Sequence, residues 1–385
     1  MLKKIVLHNF RCFKKFQLSS LKQLNIIVGD NNSGKTAFLE AVSIACKPTL
    51  KHLFWLVQQR IENPDSITSI QEELDFLFNT VNDLFNTVNE KAKIEVENEA
   101  GEFFIDVAKN IEVDSQKSFS LYASKKECFA ADIHSGVQFV EKEICEERQF
   151  IYNEKLSSKG FSQLNAEIKS KKSLKPEQLN KIVAFLVEDY HHTNIFINSI
   201  YQLKEKYLIQ LLIQLETLKF EERATWKNDV LPFLQKIYPD LVGVEFGRNS
   251  RIIIETATGA LPLSYMGDGF KKSFYLLLAV YCCKDGVLIM DELETGIHYE
   301  NQQAVWQMLF SASKKFNTQL FISTHSYEML EYLQKAIENL PQHDKTHWQE
   351  QLSLYSLLKI NNEPSVFEYS YAGFESFIEN NREFR

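Results

Sequence analysis

The segment Gly29-Asp30-Asn31-Asn32-Ser33-Gly34-Lys35-Thr36 constrains this chain more than any other. It is a full G-x-x-x-x-G-K-[ST] pattern, preceded by the apolar run Leu24-Asn25-Ile26-Ile27-Val28 and continued by Thr36-Ala37-Phe38-Leu39-Glu40-Ala41-Val42, whose apolar residues recur at helical spacing. A strand that turns through glycines into a helix N-terminus leaves successive backbone N–H groups aimed at one point, which makes an anion site. Glycine is scarce in the chain, 13 of 385 residues, against a usual share of about 7%, so chance accounts poorly for this pair. Gly29 and Gly34 let the backbone wrap a phosphate chain, with Asn31, Asn32 and Ser33 between them and Ala37 continuing the helix. Lys35 adds positive charge at the β- and γ-phosphates, and Thr36 presents a hydroxyl to Mg²⁺. No Asn-Lys-x-Asp guanine-reading motif is present, which favours ATP.

Two further apolar runs end in chemistry. Val287-Leu288-Ile289-Met290 runs into Asp291-Glu292. Phosphoryl transfer needs one acid to hold hydrated Mg²⁺ and a neighbour to orient water, so Asp291 is assigned to the metal and Glu292 to the general base. Leu320-Phe321-Ile322-Ser323-Thr324 leads to His325-Ser326, one predicted helix (302–314) later. A lone histidine at a strand end is usually structural, but this placement makes His325 a candidate donor to the γ-phosphate. A second glycine pair lies in Ser264-Tyr265-Met266-Gly267-Asp268-Gly269, before a predicted amphipathic helix over 271–282.

Together these residues resemble the ABC-type ATPase heads of the SMC and RecF-like branch, close to the ATPase half of OLD-family (overcoming lysogenisation defect) proteins. The resemblance covers residues 1–46 and 192–385: an opening strand ending Asn9-Phe10-Arg11, the P-loop, the acidic strand end, a D-loop-like Glu294-Thr295-Gly296-Ile297-His298, and His325 as switch histidine. It implies an α/β fold, a P-loop NTPase with a mixed core sheet, flanking helices and an antiparallel side sheet. It also implies that Arg11 joins the nucleotide site and that Ser264, Gly267, Asp268 and Gly269 form a signature loop reaching the γ-phosphate of a partner subunit. The loop departs from the usual Leu-Ser-Gly-Gly-Gln, because Met266 stands where serine normally precedes the first glycine. Lys271 and Lys272 are weaker candidates for the same contact, and Gln58 and Gln59 for a Q-loop glutamine.

Residues 47–191 read as an insertion, mainly helical over about 50–90 and 140–190, with an antiparallel ribbon over about 91–123. Leu77, Val81, Leu84 and Val88 have coiled-coil spacing within a repeated heptad. Lys169, Lys171, Lys172, Lys175 and Lys181 form the most basic stretch, read either as a solvated helix face or as a contact with nucleic acid or an acidic partner. His191-His192 on a strand would face opposite sides, against a metal site. Residues 193–198 read as a return to the main sheet, followed by a helix over 201–218.

The formal charge of −8 argues against wholesale coating of nucleic acid. The six cysteines show no zinc spacing. No apolar run reaches the length of a bilayer span and no signal peptide opens the chain, so a cytoplasmic protein without membrane contact is expected. OLD-family nucleases carry a Toprim domain with an Asp-x-Asp pair, and none follows His325. The expectation is therefore an ATP-hydrolysing switch that forms a homodimer or higher oligomer through its heads and regulates a separate effector, a nuclease or toxin, in anti-phage defence. The rivals are a RecF-like DNA-binding repair ATPase and a scaffold that holds ATP without turnover.

Overall fold

The computed structural model describes residues 1–46, 91–99, 101–113, 116–125, 142–144, 147–153, 194–197, 220–246, 252–295, 297–360 and 363–379. Strands β1 (Leu2–Phe10), β2 (Phe13–Leu18) and β3 (Leu24–Gly29) lead into helix α1 (Lys35–Cys46). Strands β4 (Lys91–Asn98), β5 (Gly101–Val113), β6 (Gln116–Lys125), β7 (Lys142–Ile144), β8 (Glu147–Asn153) and β9 (Asn194–Ile197) follow. Next come α2 (Phe220–Ile237), β10 (Leu241–Phe246), β11 (Ile252–Thr256), β12 (Gly259–Pro262), a single 3-10 turn (Leu263–Tyr265) and α3 (Asp268–Cys282). The chain closes with β13 (Val287–Met290), α4 (Tyr299–Phe316), β14 (Gln319–Ser323), α5 (Tyr327–Glu338), α6 (Gln342–Glu350), β15 (Leu352–Ile360), β16 (Glu363–Tyr369) and α7 (Tyr371–Glu379).

The central sheet has six strands in the order β16-β15-β3-β14-β13-β9. Its neighbours run parallel except for the β15–β16 hairpin. Every residue of β3, β13 and β14 is buried, as expected of near-continuous apolar runs in a sheet covered on both faces. The two-residue period divides them cleanly. Ile26, Val28, Leu288, Met290, Leu320 and Ile322 join the core under α3, α4 and α5, whereas Ile27, Val287, Ile289, Phe321 and Leu357 join the core around α1. Between the sheets, α1 is buried from Ala37 to Ala45, so its apolar residues are not confined to one stripe.

A second sheet, antiparallel in the order β2-β1-β4-β5-β6-β8-β7, covers the far side of α1. Gln319 stitches it to the central sheet: its buried amide donates to the Leu2 and Lys22 carbonyls, both at 2.8 Å, and accepts from the Leu2 N–H at 2.7 Å. A third sheet, β10-β11-β12, packs with α2 on the other core.

Within the stretch read as helical over 140–190, the described residues 142–144 and 147–153 are strands instead, and the rest of the stretch lies outside the described residues. β7 and β8 pair with each other and β8 extends the second sheet through β6. Phe150-Ile151-Tyr152 is a β-favouring triplet at the centre of β8. The second sheet also crosses the boundary drawn at residue 47, since β4 pairs with β1 along six positions. The heptad seam at 77–90, Gln58 and Gln59, the basic stretch 169–181, His191-His192, the helix expected over 201–218 and Gly296 lie outside the described residues. Among the described residues, no helix is long and apolar enough to cross a membrane.

Candidate active site

The loop between β3 and α1 is shaped by what surrounds it. Gly29 has φ +145°, and a Cβ there would lie 2.2 Å from the Leu357 carbonyl oxygen on β15. Gly34 has φ +106°, and its Cβ would lie 2.8 Å from Phe13 Cζ and 2.9 Å from Cys12 Sγ. Both positions exclude a side chain on steric grounds as well as by φ. Asn32 also takes a left-handed φ of 62°, which asparagine tolerates better than most residues. Inside the loop the Ser33 hydroxyl is buried and has no hydrogen-bond partner among the described residues.

Lys35 is nearly buried, and its Nζ donates to the Gly29 carbonyl at 2.7 Å and the Asp30 carbonyl at 2.9 Å. Burial pulls its pKa below the ordinary lysine value, against the opposing pull of Asp291, Glu292, Asp30 and Glu294. An ammonium resting on two loop carbonyls is charge waiting for a stronger acceptor. One residue on, Thr36 Oγ1 donates to Asp291 Oδ2 at 2.7 Å, so the helix start and the end of β13 meet.

Asp291 is itself buried, and burial raises its carboxyl pKa, opposed by hydrogen bonds from Ser323 and Thr36. Ser323 closes the arrangement: its hydroxyl donates to Asp291 Oδ1 and accepts from the Glu292 backbone N–H at 2.9 Å. That fixes the backbone of Glu292, which adopts φ 50°, an uncommon conformation for a residue with a side chain. A buried carboxylate beside a threonine hydroxyl is a hard oxygen donor set, and its raised pKa is the mark of a charge that a cation would relieve; Thr36 and Asp291 therefore fit Mg²⁺.

His325 stands half-exposed just past β14. Its Nδ1 lies 2.9 Å from Glu294 Oε1, and its backbone N–H donates to the same oxygen at 3.0 Å. Thr295 and His298 lie on the same loop, His298 at the start of α4 and 3.7 Å from Glu300. Arg11, in the turn between β1 and β2, has φ 50° and meets α1 through Glu40, with Nε 2.8 Å from Oε2. The second glycine loop is laid out differently. Ser264, Tyr265, Gly267 and Asp268 are exposed, a Cβ on Gly267 would meet nothing within 4 Å among the described residues, and Gly269 sits against Asn301 of α4.

Two side chains bonded around the site were not read in the positions they take. Ser323 was legible only as the last residue of a strand, although a buried serine beside an acidic strand end is a signal in retrospect. Lys272, read as a weak candidate for a partner's phosphate, is buried in its own subunit, with Nζ on the Leu293 carbonyl at 2.7 Å and on the Thr295 carbonyl. Its helix turns it inward, away from the exposed glycine loop.

The arrangement agrees with the likenesses of the chain. A family model described as an AAA ATPase domain matches residues 1–230. A second model, described as "AAA domain, putative AbiEii toxin, Type IV TA system", matches residues 135–331. An ATP/GTP phosphatase of Helicobacter pylori is 22% identical over 356 residues, covering 88% of each chain. The yeast (Saccharomyces cerevisiae) structural maintenance of chromosomes protein 6 is 49% identical over 43 residues, 11% of this chain and 4% of that one. Among solved structures, an SMC head bound to the winged-helix domain of ScpA aligns at TM-score 0.48 and 13% identity over 96% of this chain and 97% of that chain. The SMC head domain from Thermotoga maritima aligns at TM-score 0.42 and 14% identity over 96% and 98%.

Proposed function

The chain belongs to the AAA ATPase domain family and is an ATPase, and from that premise we propose that it is a switch whose ATP site is completed by a second copy of itself. The observation that carries the reading is the junction of Thr36, Asp291, Ser323 and Glu292, where the P-loop helix and the acidic strand end are bonded into one unit. Loop N–H groups, the Ser33 hydroxyl and Lys35 bind the phosphates, with Lys35 leaving the Gly29 and Asp30 carbonyls to do so. Thr36 and Asp291 would hold Mg²⁺, which when bound neutralises charge on the β- and γ-oxygens. Glu292 takes a proton from the attacking water as the bond between the γ-phosphorus and the leaving oxygen breaks. His325 offers Nε2 to a γ-phosphoryl oxygen, since Nδ1 is committed to Glu294.

The partner's contribution is the loop 264–269, with Gly267 and Gly269 as backbone donors and Ser264 and Asp268 beside them. Support comes from its layout: it is exposed, open at Gly267, and flanked by Tyr265 at 78% exposure. In this reading ATP joins two heads and hydrolysis releases them, and the switch governs a separately encoded cytoplasmic effector, a nuclease or toxin. The match to a family named for type IV toxin–antitoxin systems supports a place in defence. The test is ATP turnover against protein concentration. Specific activity that rises with concentration supports a shared site; a flat profile from a monomer contradicts it.

A further inference from the structure

Lys272 lies one helical turn beyond Asp268 on α3, yet its side chain does not reach solvent; the residue is 6% exposed. A buried ammonium is costly unless it is well paired. Here it donates to the Leu293 and Thr295 carbonyls, the two that flank Glu294. Glu294, 12% exposed at its side chain, receives both the ring Nδ1 and the backbone N–H of His325 on a single oxygen. Burial pushes Lys272 down to about 8, with Glu294 and then Glu292 pulling the other way, so the charge is held by the acids of the very loop it pins. A methionine would fill the same space if packing were the only task.

We propose that Lys272 is a positioning residue for hydrolysis: by pinning the backbone on both sides of Glu294, it aims that carboxylate at His325 and fixes the ring as its Nδ1–H tautomer. Nε2 is then turned to the site, and α3 is bonded through Lys272 to the loop after β13 and through Glu294 to His325 after β14. The inference rests on the hydrolysis reading only for its kinetic consequence, since the tautomer is a property of the resting protein.

The test uses the full chain with isotope-labelled histidine. The His325 ring nitrogens, identified by their loss in His325→Ala, are expected to read as Nδ1-protonated in the parent protein and as mixed tautomers in Lys272→Met. Turnover should fall about 10-fold to 100-fold in kcat with little change in KM, the usual scale for a residue that orients a working side chain. In a His325→Ala background, Lys272→Met should add nothing further. An unchanged His325 tautomer in folded Lys272→Met, or a loss that multiplies with that of His325→Ala, would overturn the proposal. If Lys272→Met does not fold, Glu294→Leu removes the acceptor that Lys272 is proposed to aim, without disturbing α3, and an unchanged ring there is equally fatal. Absence of ATP turnover in the parent protein would defeat the hydrolysis reading alone, because the ring spectrum decides the positioning role without it.

Discussion

The two glycine loops of this chain differ in how much of their environment they already possess. A side chain at Gly29 would collide with the Leu357 carbonyl, and one at Gly34 with Phe13 and Cys12. Around Gly267 a side chain would meet nothing within 4 Å among the described residues. The first loop is closely packed by its own subunit, whereas the second meets no neighbour at Gly267 among the described residues. The contrast is what the proposed shared site requires, one loop preorganised for a ligand and one left open for a partner.

That contrast can be broken from either side. Gly29→Ala should cost roughly 2–4 kcal/mol of folding stability, the scale of forced overpacking at a strained φ, read as a lower midpoint in urea. Lys35→Ala should leave folding nearly intact but weaken ATP binding about 100-fold, the loss of charge-assisted hydrogen bonds to the phosphates, read by titration calorimetry. Gly267→Ala should shift stability by no more than about 0.5 kcal/mol. Its turnover should nevertheless drop about tenfold, because a methyl group would intrude where a partner must dock. If Gly267→Ala hydrolysed ATP at the parental rate, the open loop would have no part in the site.

Asp291 sharpens the comparison most gently. Its folded-state pKa is raised, chiefly by burial, so the native protein binds protons more readily than the unfolded chain and stability falls as pH rises through that window. Asp291→Asn removes the charge and should stabilise the nucleotide-free protein at neutral pH by about 1 kcal/mol while ending turnover. The gain should shrink as the pH is lowered through the raised value, where the wild-type carboxyl is neutral as well. Thermal melts of both proteins across pH would show it.

The sequence made the central sheet and the P-loop legible because both depend on local pattern. The all-apolar runs of β3, β13 and β14 leave little alternative to buried parallel strands, and the glycine spacing carries its own geometry. What it hid were contacts between distant segments. Ser323 reaches Asp291 across neighbouring strands, Gln319 joins β1 to β14, and Lys272 turns inward only because α3 packs that face against the loop after β13. The strands at 142–153 were missed because their sheet is set by pairing with the distant β6, which a local reading does not see.

The central claim is that ATP draws two such half-sites together and that Glu292 releases them by hydrolysis. Light scattering of purified Glu292→Gln protein, with and without Mg²⁺-ATP, measures this directly. The account predicts a nucleotide-dependent rise in mass to at least twice the resting value, with turnover about 10²- to 10⁴-fold below the parent, the usual worth of a general base. A mass unchanged by nucleotide, in a protein that still binds ATP, would contradict it.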